Sequence, residues 1–168
     1  MSDLSDIPHL LPPPLAALVS GAGIWTLAER LPQFSLPYLL PPKIAADVIP
    51  WMPFAAGGIA AVGLGLGLSA ILSFASHEDK LTPMVPSTNS RLVTSGVYAY
   101  TRNPMYLGLA TLLTAWTTYL EQPLGLLGVA GFVGFINWYM IKPEEEILLQ
   151  IFPVEYPEYK RRVPRWIF

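Results

Sequence analysis

The chain has 168 residues, 52% of them hydrophobic and 13% charged, with a mean hydropathy of +0.43 and a net charge of −2. That composition describes a membrane protein of one domain, 1–168, and the small negative charge argues against a nucleic-acid partner. With no Cys and only His9 and His77, disulfides, thiolate nucleophiles and a histidine metal site are excluded, so no metal is expected.

Asp3 and Asp6 stand where a cleaved signal would carry positive charge, so the first apolar run is expected to stay in the mature protein. Residues 7–28, 48–77, 103–120 and 122–141 are free of Asp, Glu, Lys and Arg. A hydrocarbon core about 30 Å thick needs about 20 helical residues, so these intervals predict transmembrane helices near 11–28, 52–75, 104–120 and 123–141. The expected fold class is therefore all-α: a polytopic membrane protein with four transmembrane helices and a short cytosolic C-terminal helical segment. The connector 29–50 holds Pro32, Pro37, Pro41, Pro42 and Pro50 and reads as an interfacial loop without helix.

The second helix carries Gly57, Ala61, Gly65 and Ser69 four apart, with Gly63 and Gly67 beside them; this predicts a small-residue packing face. The Gly63-x-Gly65-x-Gly67 run is not a dinucleotide loop, because no strand precedes it. The third helix opens at Arg102-Asn103-Pro104, with Asn103 as the expected side-chain N-cap and Pro104 at the first helical position. Its free N–H groups and positive dipole end suit a carboxylate or phosphate, flanked by Arg102 and Tyr106.

Gly125, Gly128, Gly131 and Gly134 predict a packing face on the fourth helix, which only Glu121, Gln122 and Pro123 separate from the third. The resulting antiparallel hairpin brings Glu144 and Glu145 back to the start of the third helix. Pro143 is expected to end the fourth helix and begin a new one. An even number of spans places Lys80, Arg91, Arg102, Lys142, Lys160, Arg161, Arg162 and Arg165 on one side, against Arg30 and Lys43 on the other. By the positive-inside rule both termini face the cytoplasm, in the inner membrane if the source is prokaryotic.

Two blocks, 92–108 and 142–165, thus share one membrane face. The first reads Gly96-x-Tyr98-x-x-x-Arg102-Asn103-Pro104-x-Tyr106-x-Gly108; the second holds Glu144-Glu145, Phe152, Glu155-Tyr156, Tyr159 and Val163-Pro164-Arg165. With that pairing the chain resembles the isoprenylcysteine carboxyl methyltransferase and phospholipid methyltransferase group of membrane enzymes. Asn103 stands where the carboxyl methyltransferases usually have His, and Pro153 replaces a usual Gly.

The resemblance implies S-adenosylmethionine as cofactor, held by Tyr100, Arg102, Asn103, Pro104, Met105, Tyr106, Gly108, Glu144 and Glu145. It also implies a lipophilic methyl acceptor met by Arg162, with Glu155 and Tyr156 as nearby polar candidates. Arg161, Arg162 and Arg165 also suit lipid headgroups. A non-catalytic scaffold or transport subunit is the competing class, disfavoured because no ionisable group lies inside a predicted span.

Overall fold

The computed structural model describes residues 12–75 and 92–167, and these are helical, without strands. The readings made for Asp3, Asp6, Lys80 and Arg91 lie outside the described residues. The long helices are α1 (Pro13–Arg30), α4 (Met52–Ala75), α5 (Pro104–Tyr119) and α6 (Gly125–Ile136), close to the four predicted intervals. The stretches Pro42–Ser73 and Gly125–Ile151 are long and apolar enough to cross a membrane. On α4 the large side chains lie outside: Phe54, Val62, Leu64, Leu68 and Leu72 are all more than half exposed. A surface of that kind is stable against lipid and not against water.

The connector between α1 and α4 is more helical than its prolines suggest. Leu36–Leu39 forms α2 and Pro42–Val48 forms α3, each with a proline in its first turn. There the missing N–H is one that a helix leaves unpaired anyway, so these prolines start helices rather than prevent them.

Packing between α4 and α5 uses Gly63 and Gly67 of the expected small-residue face, and not the stripe of residues four apart beside them. A Cβ on Gly63 would lie 2.9 Å from the Gly108 carbonyl oxygen, and one on Gly108 would lie 2.8 Å from that of Gly63 and 3.1 Å from the Gly67 nitrogen. Only glycine at both places permits that approach, whereas no described atom lies within 4 Å of a Cβ built on Gly57 or Gly65. The Gly57/Ala61/Gly65/Ser69 stripe therefore faces outward. On α6, Gly125 and Gly128 accommodate Ile24 of α1, while Gly131 and Gly134 stay open. Ile24, Leu113, Phe132 and Ile136 form the core where α1, α5 and α6 meet. Outside the core, the α5–α6 turn is tied to the α2 region by Leu36 N–H donating to the Glu121 carbonyl at 2.8 Å and Gln122 Nε2 to that of Leu31 at 3.1 Å.

Pro143 does not end the fourth helix. The chain passes through a π-helical turn, Asn137–Ile141, into α7 (Lys142–Ile151), with Lys142 N–H donating to the Asn137 carbonyl. The wider turn accommodates a proline that an α-helix interior would not. A final short helix, α8 (Glu155–Arg162), leads into the C-terminal segment.

Candidate functional site

Gly96 has φ +62, a left-handed conformation suited to glycine, and a Cβ there would come 3.0 Å from Ser73 Oγ. It opens a 3₁₀ turn, Gly96–Ala99, that carries the connector over the end of α4. The connector is then stitched to the C-terminal segment. Arg102 N–H donates to the Pro164 carbonyl at 3.0 Å, Thr101 Oγ1 to the Arg165 carbonyl at 3.1 Å, and Tyr159 hydroxyl to the Tyr98 carbonyl at 2.7 Å.

Asn103 occupies the N-cap position of α5, but its side chain makes no cap hydrogen bond. Nδ2 instead donates to the Arg165 carbonyl at 3.0 Å. The expected capping role is corrected accordingly: a partner distant in sequence takes the amide. Asn103→Ala and Asn103→Asp should both lose that bond and destabilise the protein by about 0.5–1.5 kcal/mol. An Asp variant melting like the parent, with Ala alone destabilised, would restore the cap.

Glu145 is the centre of an ion cluster. Arg165 reaches it through Nε at 3.0 Å and Nη2 at 2.8 Å, Arg102 Nη1 lies at 2.8 Å and Lys160 Nζ at 3.2 Å. The Glu145 and Arg102 side chains are each only 8% exposed. Burial alone would raise the Glu145 pKa, but the Arg165 hydrogen bonds and the Arg102 and Arg165 charges hold it below the usual carboxylate range. Arg165 is therefore a partly buried partner of Glu145 and not a headgroup anchor. Arg102 Nη1 also donates to the Tyr156 hydroxyl at 3.1 Å. Burial, then the Glu145 charge, pushes the Tyr156 phenol up to about 12, so it remains protonated.

Glu144 has another environment. Tyr106 hydroxyl donates to its Oε2 at 3.2 Å, and no cation among the described residues pairs with it. Glu144 is an exposed residue whose carboxyl group is crowded by neighbouring protein. Desolvation lifts its pKa to about 7; the Tyr106 hydrogen bond opposes the rise and the Glu145 charge adds to it. Arg102 Nε is buried without a hydrogen-bond partner among the described residues.

The structure thus gathers Arg102, Asn103, Glu145 and Tyr156, with Tyr106 and Glu144 alongside. Pro104 is buried at the start of α5 and Met105 half-buried behind it, while Tyr100 is 76% exposed. Gly108 is taken up in the α4 contact. Glu155 and Arg162 are exposed on α8 and belong to no described ion pair. Lys160 and the Trp166–Asn137 hydrogen bond of 3.3 Å were not read from the sequence. Nothing in local composition separates Lys160 from its neighbours Arg161 and Arg162.

The model of the phospholipid methyltransferase family matches residues 51–155, from the start of α4 to that of α8. The chain belongs to that family. It is also similar to the protein-S-isoprenylcysteine O-methyltransferase of Homo sapiens, 29% identical over 134 residues covering 79% of this chain and 46% of that protein. The Saccharomyces cerevisiae protein of the same description is 36% identical over 76 residues, 43% of this chain and 30% of that one. A short Haemophilus influenzae protein described as uncharacterized is 44% identical over 63 residues, 38% of this chain and all of its own length. The chain spans less than half the length of the isoprenylcysteine O-methyltransferases it matches. Membership of the family bears out the resemblance read from the two blocks. Among the described residues no group of three or more His, Cys, Asp or Glu could hold a metal.

Proposed function

We propose that this chain is an integral-membrane methyltransferase that uses S-adenosylmethionine to methylate a lipophilic acceptor at the cytoplasmic face. The observations that carry the reading are a buried Arg102 Nε without a hydrogen-bond partner among the described residues and a solvent-accessible Glu144 without a cation, on two segments that the Arg102–Glu145 ion pair holds together. One wants an anion and the other a cation or hydroxyl donors, and an amino-acid head with a ribose supplies all three. The donor set therefore fits the cofactor. The free N–H groups in the first turn of α5, after Asn103 and Pro104 and around Met105, would join Arg102 in holding its carboxylate. Glu144 would take the amino group or the ribose, and Tyr106 and Tyr100 would offer ring faces to the adenine. Glu145, with both oxygens occupied, would position Arg102 rather than touch the cofactor.

When bound, the cofactor supplies an electrophilic methyl group for in-line displacement. The chain contributes orientation: a methyl transfer gains most from fixing the acceptor in attack geometry. Arg162 on α8 would orient the acceptor's head, with Glu155 beside it, while Tyr156, kept protonated, steadies Arg102. A topology of four spans with both termini cytoplasmic agrees with this arrangement. The Gly125–Ile151 helix, about 40 Å long at 1.5 Å per residue, exceeds a core of about 30 Å, leaving Glu144 and Glu145 beyond the bilayer.

The test is label transfer from S-adenosylmethionine to total membrane lipid extract by the detergent-purified chain, with S-adenosylhomocysteine affinity measured in parallel. Label in a lipophilic fraction, Glu144→Gln weakening affinity at least tenfold without a change in melting, and Arg162→Ala lowering turnover at unchanged affinity are expected. A folded protein that neither binds S-adenosylhomocysteine nor labels any lipid would sink the reading.

A further inference from the structure

The end of the bundle opposite Tyr106 and Glu144 carries a carboxylate without a cation. Glu29, in the last turn of α1, makes no ion pair among the described residues, its neighbour Arg30 included. Although exposed, it does not extend freely: its Oε1 accepts the Trp25 Nε1–H at 3.1 Å, which holds the carboxylate against the indole. Trp25 stands edge-to-face with Trp116 of α5, ring centroids 6.4 Å apart, and Trp116 stacks in turn on Tyr119 at 5.7 Å. The Gly21 carbonyl fixes Trp116 by accepting its Nε1–H at 3.2 Å. Trp25 and Tyr119 are each more than half exposed.

Two indoles at 75° to each other with a carboxylate beside them make an open corner. Such a corner suits an ammonium group, which the ring faces attract through their quadrupole and the acid through its charge. Trp25 and Trp116 also line a cavity of about 520 Å³ between α1 and α5, so corner and cavity are continuous. The cavity walls, among them Ala17, Gly21, Leu109 and Leu112, hold no charged side chain. From Pro14 to Trp25 the α1 wall rises about 16 Å, half of a hydrocarbon core of about 30 Å and so the depth of one leaflet.

We propose that corner and cavity together bind an ammonium-headed phospholipid as a structural lipid, its head between Glu29 and the two tryptophans and one acyl chain between α1 and α5. This lipid is not the methyl acceptor. Trp116 lies about 15 Å along α5 from Tyr106, and methyl transfer requires the acceptor in contact with the methyl group. The lipid belongs to the leaflet opposite the cofactor, and the proposal stands independently of the methyltransferase reading. Interfacial anchoring accounts for the positions of the rings but not for the acid, since a belt of Trp and Tyr serves any headgroup. An acid held on an indole repels anionic heads and selects a cationic one.

The test uses the full chain in phosphatidylglycerol vesicles, with phosphatidylcholine carrying brominated acyl chains as the probe at low mole fraction. The choline nitrogen has no lone pair and cannot accept a methyl group. Bromine should quench tryptophan emission saturably, with phosphatidylcholine preferred over the host lipid at least fivefold, and unbrominated phosphatidylcholine should compete. Brominated phosphatidylglycerol of the same chains should quench only in proportion to its mole fraction. Glu29→Gln keeps an acceptor oxygen for Trp25 and removes the charge; it should lower the preference about threefold. Gly21→Leu, which fills the cavity, should abolish saturation. S-adenosylhomocysteine affinity should be unchanged in both variants. A parent protein without preference for phosphatidylcholine, or a preference that Glu29→Gln retains in full, overturns the site whether or not methyl transfer proceeds. A preference lowered in both variants upholds the site even where no methyl transfer is found, and that failure then counts against the methyltransferase reading alone.

Discussion

Glu145→Gln is expected to destabilise the folded protein by about 3–5 kcal/mol, the range for removing one partner of a buried ion pair. The substitution keeps the shape of the side chain but turns one acceptor oxygen into a donor that faces Arg165, Arg102 or Lys160. Arg102, whose side chain is 8% exposed, would be left with its charge uncompensated. Lys160, at 41%, adds little because solvent already screens it. The loss should be localised: amide exchange should accelerate at 101–103 and at Val163 and Arg165, on the two segments that Arg102 and Arg165 pin together. The neighbouring Glu144→Gln should leave melting and exchange unchanged. Identical behaviour of the two variants would refute the division of labour between these acids. The pH dependence has a definite sign. The Glu145 pKa is lowered on folding, so its contribution is present above the ordinary carboxylate value of about 4.3 and is lost as pH falls through the lowered value.

Gly108→Val should separate α4 from α5. The obstructing atoms, the Gly63 carbonyl oxygen at 2.8 Å and the Gly67 nitrogen at 3.1 Å, are backbone and cannot rotate away, so the helices themselves must move. Overpacking of this kind costs about 1–3 kcal/mol or more. In a bilayer no hydrophobic drive would bring the helices back, because close contact is what holds them. Since α5 carries Asn103 and Tyr106, S-adenosylhomocysteine affinity should fall together with the melting temperature. Gly65→Ala and Gly57→Ala, on the open stripe of α4, should be neutral or slightly stabilising. A melting temperature unchanged in Gly108→Val, or lowered equally in Gly65→Ala, would refute this contact as the one that holds α4.

The sequence made the helices legible because stretches without charge and of membrane length have few other uses. It also brought the 92–108 and 142–165 blocks to one end of the bundle, since the short Glu121–Pro123 link admits little but a hairpin. The identity of contacts was less legible. Gly57, Gly63, Gly65 and Gly67 are equivalent to a pattern search, and only the position of Gly108 across the interface selects Gly63 and Gly67. Glu144 and Glu145 are chemically identical neighbours, yet one helical step of about 100° gives one to the ion cluster and the other to Tyr106. Asn103 follows the N-cap rule by position but not by hydrogen bond, because the Arg165 carbonyl arrives from 62 residues away. The prolines of the α1–α4 connector misled because each was counted as a breaker without regard to its place in a turn.

The π-helical turn at Asn137–Ile141 acts as a phase corrector. In an unbroken α-helix the nine steps from Ile136 to Glu145 amount to two and a half turns and would set the two residues on opposite faces. Both are buried, Ile136 in the core with Ile24 and Glu145 among its cations. One extra residue in the wide turn reduces the angle between them to about a quarter of a revolution. The two halves of this helix, α6 before the turn and α7 after it, therefore keep separate angular registers, joined at a single point. Removing one residue from 137–141 would leave every hydrophobic side chain downstream intact in kind and still turn Glu145 out of reach of Arg102 and Arg165. In this stretch chain length, to the residue, is itself part of the specification of the site.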